Sequence, residues 1–201
     1  MTEVLAPPLV PGKGDRTRRR LLEIAVRRFA AEGFRRTSVS QIAREAGLTP
    51  AAVYAYFSGK EGLFEAAVDA DAEALIDQAS AAAADESSLR DGLLVFLAYL
   101  RERVHEYPLA RRVLSGLEPE VIGRLLELPS LRAVTELVTA GLANGQEAGE
   151  VRADVDPRQM AVGLQTVVLS LLMGQLQTGA DDPARTDGVI AVLDAALTPP
   201  A

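Results

Sequence analysis

Few residues in this chain can carry covalent or metal chemistry. Its 201 residues hold one histidine and no cysteine, so thiol nucleophiles, Cys/His zinc spacings and disulfide frameworks are excluded. One acid–base pattern stands out, Glu102-x-x-His105, which resembles half of a di-iron carboxylate bundle. Such a site needs a second Glu-x-x-His on another helix, and a single His cannot supply it. The lone His beside Tyr107 reads as structural or pocket-lining. No catalytic residue, metal site or cofactor is expected, and the chain does not read as an enzyme. The remaining candidates are hydrogen-bond donors and cations near the amino end: Thr37, Ser38, Tyr54 and Lys60, preceded by Lys13 and Arg16. Hydroxyls, helix amino termini and ammonium groups are the usual ligands of phosphate oxygens.

The elements that position these donors are short helices with explicit stops. Ser38 is a good N-cap, and Gln41 completes a capping box with it. Val39, Ile42, Ala43 and Ala46 recur at helical spacing, and Gly47 ends the run in a conformation that glycine tolerates. Thr49 caps a second helix whose first turn accepts Pro50. Ser58, with Glu61 as box partner, starts a third. Helix, glycine-containing turn, helix is the helix-turn-helix plan, whose second member enters a DNA major groove. An ordinary helical hairpin is the alternative that spacing alone leaves open.

The run from Ser38 to Phe57, ending Tyr54-Ala55-Tyr56-Phe57 and followed by Ser58-Gly59-Lys60-Glu61-Gly62-Leu63-Phe64, resembles the DNA-binding domain of the tetracycline-repressor (TetR) family. The preceding helix, with its Phe29-Ala30-x-x-Gly33-Phe34 ending, is similar to that family's first helix. The resemblance is detailed over residues 15–65. It implies an all-α protein with an N-terminal three-helix helix-turn-helix domain and a C-terminal helical bundle for ligand binding and dimerisation. By position in the motif, Thr37, Ser38, Tyr54 and Lys60 should meet phosphates, joined by Lys13 and Arg16 because the motif supplies a duplex. Thr49, Pro50, Ala51, Ala52 and Ala55 should face base edges. Here the sequence departs from the common family pattern of a basic residue near Pro50 and a His at Ala55. Ala and Thr contact thymine methyls but cannot make bidentate bonds to guanine or adenine. Specificity should therefore lean on Tyr54, Tyr56, the basic arm and DNA shape. Phe57 is expected in the core.

Charge sharpens this reading when it is divided. Residues 1–65 hold eleven Lys/Arg against seven Asp/Glu, a balance of +4 within a net charge of −7. The remainder carries −11, so positive charge is confined to the segment with the candidate DNA reader. Hydrophobic residues make up 48%, which suits a globular chain with one or two small domains. The amino-terminal MTEVLAPPLVPGKG lacks a signal peptide's order and reads as a flexible arm. No apolar run is expected to approach a membrane span. With no disulfide framework, the cytoplasm is the expected location. The expected division is an arm over 1–14, a DNA-binding domain over 15–62 (the helix-turn-helix about 38–57), and a ligand-binding and dimerisation domain over 63–201.

Helical periodicity continues to the end of the chain. Leu22, Ala25, Val26 and Phe29 form the stripe of the first helix. A long helix runs from Lys60 to about Ala84, Ser88 caps one through Glu106, and shorter pieces cover Leu109 to Leu128. Another runs from about Leu131 to Gly145 or Gly149. Asp156 before Pro157 caps a helix to about Gln177 that is apolar nearly all round, and the last runs from about Thr186 to Leu197. These two, about 157–177 and 186–197, are expected to form a homodimer interface as a four-helix bundle with their copies, which the resemblance also implies. Two recognition helices on a twofold axis would need a pseudo-palindromic double-stranded operator with half-sites a helical turn apart or a multiple of it. A pocket for a small-molecule effector is expected between the later helices. Phe96, Tyr99, Arg103, His105, Tyr107, Arg111 and Gln165 are its candidate contacts. With three aromatics after residue 65, an aliphatic or acyl-like ligand is favoured over a flat aromatic one. The expected function is sequence-specific transcriptional regulation, as a repressor that the effector releases. An activator, or a helical enzyme or carrier, is the alternative.

Overall fold

Side-chain caps at Ser38, Thr49, Ser88, Asp156 and Asp182 start five of the helices in the computed structural model, which describes residues 12–179 and 182–199. The elements are α1 (Lys13–Arg36), α2 (Val39–Ala46), α3 (Pro50–Tyr54), α4 (Gly59–Ala83), α5 (Leu89–Arg103), α6 (Pro108–Leu114), α7 (Pro119–Ile122), α8 (Pro129–Glu147), α9 (Pro157–Thr178) and α10 (Pro183–Leu197). A 3₁₀ turn at Val104–Glu106 joins α5 to α6, and another at Leu125–Glu127 precedes α8. Among the described residues there is no strand. The chain divides into two compact units at Phe64/Glu65, and α4 belongs to both. Most of the arm expected over 1–14 lies outside the described residues, and Lys13 and Gly14 already belong to α1.

In the first unit, α1 buries Leu21, Leu22, Ile24, Ala25 and Phe29. Sequence periodicity had placed Val26 in that stripe; it is half-buried, while Leu21 and Ile24 complete the face. Gly33 interrupts the helix with φ 81, a value that glycine adopts without steric cost. Phe34 beyond this break packs on Phe64 at 5.0 Å between ring centroids, and Phe64 meets Phe29 edge-on at 4.9 Å. Such edge-on and tilted pairs contribute about 0.5–1.5 kcal/mol beyond area burial.

The second unit is built around Leu97, Leu142, Met160, Leu164, Leu193 and Leu197. Asp156 accepts from the Gln159 amide at 2.9 Å, as its position before Pro157 predicts. The last helix starts at Pro183 rather than Thr186, because Asp182 repeats the Asp-Pro cap and accepts from Ala184 N–H. Three carboxylates of α4 anchor later segments of this unit. Asp69 accepts from Ser130 N–H at 2.9 Å at the head of α8. Asp71 accepts from Leu109 and Ala110 N–H, both at 2.8 Å, at the head of α6. Glu65 pairs with Arg124.

One expectation needs correction. The 22-residue α9 contains a window of mean hydropathy 1.4, so it is long and apolar enough to cross a membrane. Periodicity marked it as apolar all round without converting that into span length. Only 22% of the window is buried within the chain.

Candidate functional site

Two short helices joined by a fixed turn present a small polar surface on the first unit. Gln41 N–H donates to Ser38 Oγ at 3.2 Å, and Ser38 N–H donates to Gln41 Oε1 at 2.8 Å, so both halves of the capping box form. Gly47 then takes φ 71, and Leu48 N–H reaches back to Ala43 O at 2.8 Å. Ala52 N–H donates to Thr49 Oγ1 at 3.2 Å, which starts α3. Each such cap contributes on the order of 1 kcal/mol. Both hydroxyls serve here as acceptors, so each retains its own proton for an outside acceptor.

Burial sorts the expected contacts. Val53 and Phe57 are in the core, at 1% and 6% exposure, and Arg18 stacks over the Phe57 ring at 5.2 Å. Thr49, Pro50, Ala51, Tyr54 and Ala55 are exposed, with Tyr54 at 56%, whereas Ala52 and Tyr56 are half-buried. Ser38, Lys13 and Arg16 are exposed as well. Thr37 is corrected: it is 1% exposed, and its Oγ1 donates to Gly33 O at 2.9 Å. Its amide also bonds Gly33 O, at 3.3 Å. Both donors are spent closing α1 after the glycine break, so Thr37 positions the surface without belonging to it. Lys60 is half-buried; its Nζ donates to Arg35 O at 3.3 Å and lies 4.5 Å from the centroid of the Phe34 ring. Its ammonium is held in place by groups that leave other donors of the three available.

Ion pairs fix α2 against α1. Glu45 accepts from Arg28 at 2.8 Å and Arg27 at 2.9 Å, and Arg28 also bonds Glu32 at 2.9 Å. The hydrogen bond from Arg28, then that from Arg27, holds the Glu45 carboxyl below its usual range. Sequence periodicity does not reveal this anchor, because Arg27 and Glu45 lie 18 residues apart. Sequence reading also passed over Ser40 and Arg44, which share an exposed face of α2 at i and i+4 spacing. Their signal was present in the positions α2 leaves off its apolar stripe.

A cavity of about 400 Å³ lies within the second unit, a size typical of small-ligand sites. Leu89, Leu93 and Phe96 line it from α5, Leu131, Val134 and Val138 from α8, and Leu164 and Val168 from α9. The structure brings two expected contacts to it, Phe96 and Gln165. Tyr99, Arg103, His105, Tyr107 and Arg111 do not line it. Arg103 is taken up by Glu106 at 2.7 Å and lies over the Tyr99 ring. His105 is on the surface at 62% side-chain exposure, and Arg111 is exposed on α6. The Tyr107 hydroxyl donates to Ala74 O at 3.4 Å, and burial raises its pKa. Those five are polar or aromatic, whereas part of the cavity wall is made of small residues, Ser80, Ala83, Gly92 and Gly141.

The first unit, a cap-fixed helix pair with an exposed second helix and a positive charge balance, has the form of a helix-turn-helix DNA reader, and the second unit is helical and holds a cavity. Residues 21–67 match the family of bacterial regulatory proteins named tetR. The HTH-type transcriptional regulator YdgC of Bacillus subtilis is 42% identical over 52 residues, which are 26% of this chain and 27% of that protein. The HTH-type transcriptional repressor AcnR of Corynebacterium glutamicum is 25% identical over 185 residues, 90% of this chain and 91% of that one. In fold, the chain is similar to a TetR-family transcriptional regulator from Rhodococcus, with TM-score 0.69 and 24% identity, covering 91% of this chain and 100% of that one. It is also similar to the fatty acid degradation regulator FadR of Bacillus halodurans, with TM-score 0.66 and 18% identity, covering 87% and 96%. Residues 21–67 thus carry the tetR-family DNA-binding match, and the fold of the chain as a whole is similar to that of TetR-family regulators.

Proposed function

We propose that this protein is a homodimeric, sequence-specific repressor that leaves its operator when a small molecule occupies the cavity of its second unit. The observation that carries the reading is the α2–turn–α3 arrangement, fixed by Ser38, Gly47 and Thr49, within the stretch that matches the tetR family. Ser38, Tyr54 and Lys60 contact phosphates, helped by Lys13 and Arg16 before them. Thr49, Pro50, Ala51, Ala52 and Ala55 face base edges, with Tyr56 beside them. Only Thr49 brings a polar side chain to those five positions, so thymine methyls and groove shape carry much of the discrimination.

Dimerisation runs through α9 and α10. Support comes from the apolar length of α9, the shallow burial of that helix within one chain, and the exposure of Val162 and Val192 at 43% and 52%. Two copies then place two α3 helices on a pseudo-palindromic operator. Effector binding favours the subunit arrangement in which the α3 helices are wrongly spaced. No enzymatic role enters this reading, and its setting is the cytoplasm.

Selection of bound duplexes from random DNA, followed by salt titration on the winner, tests it. A twofold-symmetric site and affinity that falls steeply with salt are expected, since neutralised phosphates release counterions. Salt-insensitive binding, or no retained duplex, would refute the proposal.

A further inference from the structure

The lining of the cavity restricts the charge of what can enter. Among the described residues that line it, Glu86 is the only charged one, and it is exposed, in the turn between α4 and α5. Two cations on the helices that enclose the cavity are taken up by carboxylates elsewhere. Arg90 on α5 is bound by Asp194 at 2.7 Å and Asp91 at 2.9 Å, and Arg158 on α9 reaches Glu136 at 2.6 Å. A carboxylate or phosphate in the cavity would lose its hydration with no counter-ion to replace it, and burying such an ion unpaired is strongly unfavourable. A cationic head fares little better, because the attraction of an exposed carboxylate is weakened by water and salt.

One polar step interrupts the apolar wall. Thr135 Oγ1 lies 2.9 Å from Gln165 Oε1 and 3.1 Å from Leu131 O, and Gln165 Nε2 donates to Leu131 O at 2.8 Å. This arrangement uses one amide proton of Gln165 and the single proton of Thr135. It leaves a second amide proton and the hydroxyl lone pairs, which suit one neutral donor–acceptor group.

Building on the effector reading above, we infer that the cavity takes an uncharged lipophilic molecule whose one hydrogen-bonding head group meets Gln165 and Thr135. Ionised acids and quaternary ammonium ions of the same chain length are rejected.

Three probes with a common ten-carbon tail separate the cases: 1-decanol, decanoate and decyltrimethylammonium, titrated into the full-length protein without DNA. At about pH 8 the decanoate head is fully ionised. The alcohol should bind at least about tenfold more tightly than either ion. Ser80→Leu, which fills space from α4, should weaken the alcohol. Gln165→Lys, which supplies an ammonium at the polar step, should shift preference toward decanoate; melting curves report whether each variant folds. Decanoate or the ammonium binding as tightly as the alcohol overturns the inference. So does failure of all three to bind, or alcohol affinity unchanged in both folded variants. In a parallel titration of the protein bound to its selected operator, the alcohol binding as described while operator occupancy stays constant would uphold the ligand class and refute effector-controlled release.

Discussion

Asp71 holds two amide protons on a single oxygen, those of Leu109 and Ala110, while only 8% exposed. Burial raises its pKa, and the two N–H donors partly oppose that rise. An acid whose folded pKa is raised adds most stability below its unfolded value of 3.8, and that contribution is lost as pH rises through the folded value. At neutral pH the charge is therefore a burden, while the oxygen remains useful as an acceptor. Asp71→Asn, whose amide oxygen can take both bonds, is expected to be neutral or stabilising in urea unfolding at pH 7. Asp71→Ala strands two buried donors and should cost about 1–3 kcal/mol. An Asn variant as damaged as the Ala variant would show that the charge itself is required. Lys60 poses a different question, because its ammonium is positioned by Arg35 O and the Phe34 ring. Lys60→Ala is expected to weaken DNA binding about equally across sequences and to lower the salt slope by about one. Altered sequence preference in a binding-site selection would contradict a phosphate role.

Among the elements, α2 depends on α1 for more than apolar contact. Glu45 joins Arg28 and Arg27 across the pair, and its lowered pKa makes the linkage depend on acid. The stabilisation is present above the unfolded value of 4.5 and is lost as pH falls through the lower folded value. Amide exchange in α2 should be faster in Glu45→Gln than in the parent chain at pH 7. That difference should vanish in acid once the parent carboxyl is protonated too; a difference that persists unchanged would sink the assignment. Elements whose ends are local chemistry were legible in the sequence: Ser38 with Gln41, Thr49 with Pro50, Asp156 with Pro157. The ends missed were repeats of the same chemistry, as at Asp182-Pro183. Thr37 departs from expectation and the Arg27 anchor leaves no local signal, because their partners, Gly33 O and Glu45, are set by the break at Gly33 and by how α1 and α2 pack. Pocket residues were least legible. Small residues such as Ser80, Ala83 and Gly92 line the cavity, and small side chains carry no local signal of a site.

At the scale of the whole molecule, the unresolved demand is α9. A helix this apolar with 22% of its hydrophobic window buried leaves surface that water disfavours, and Val162 on α9 and Val192 on α10 are both exposed. In the proposed dimer a second copy resolves it, with α9 and α10 pairing with their equivalents about a twofold axis that matches the symmetry of an operator. DNA affinity and subunit association are then coupled, because two linked readers gain from each other's presence by roughly 10²–10⁴ in avidity without any new contact. A double variant, Val162→Glu with Val192→Glu, places carboxylates on both outer faces while leaving Leu164 and Leu193 of the core untouched. Its sedimentation mass is expected to be that of one subunit of 21.4 kDa, with helical content retained. Affinity for the full operator should fall by about two orders of magnitude or more, while binding to an isolated half-site stays close to that of the parent chain. A variant that remains dimeric would move the interface away from α9 and α10. A monomer that grips the full operator as tightly as the parent would separate DNA reading from the twofold axis.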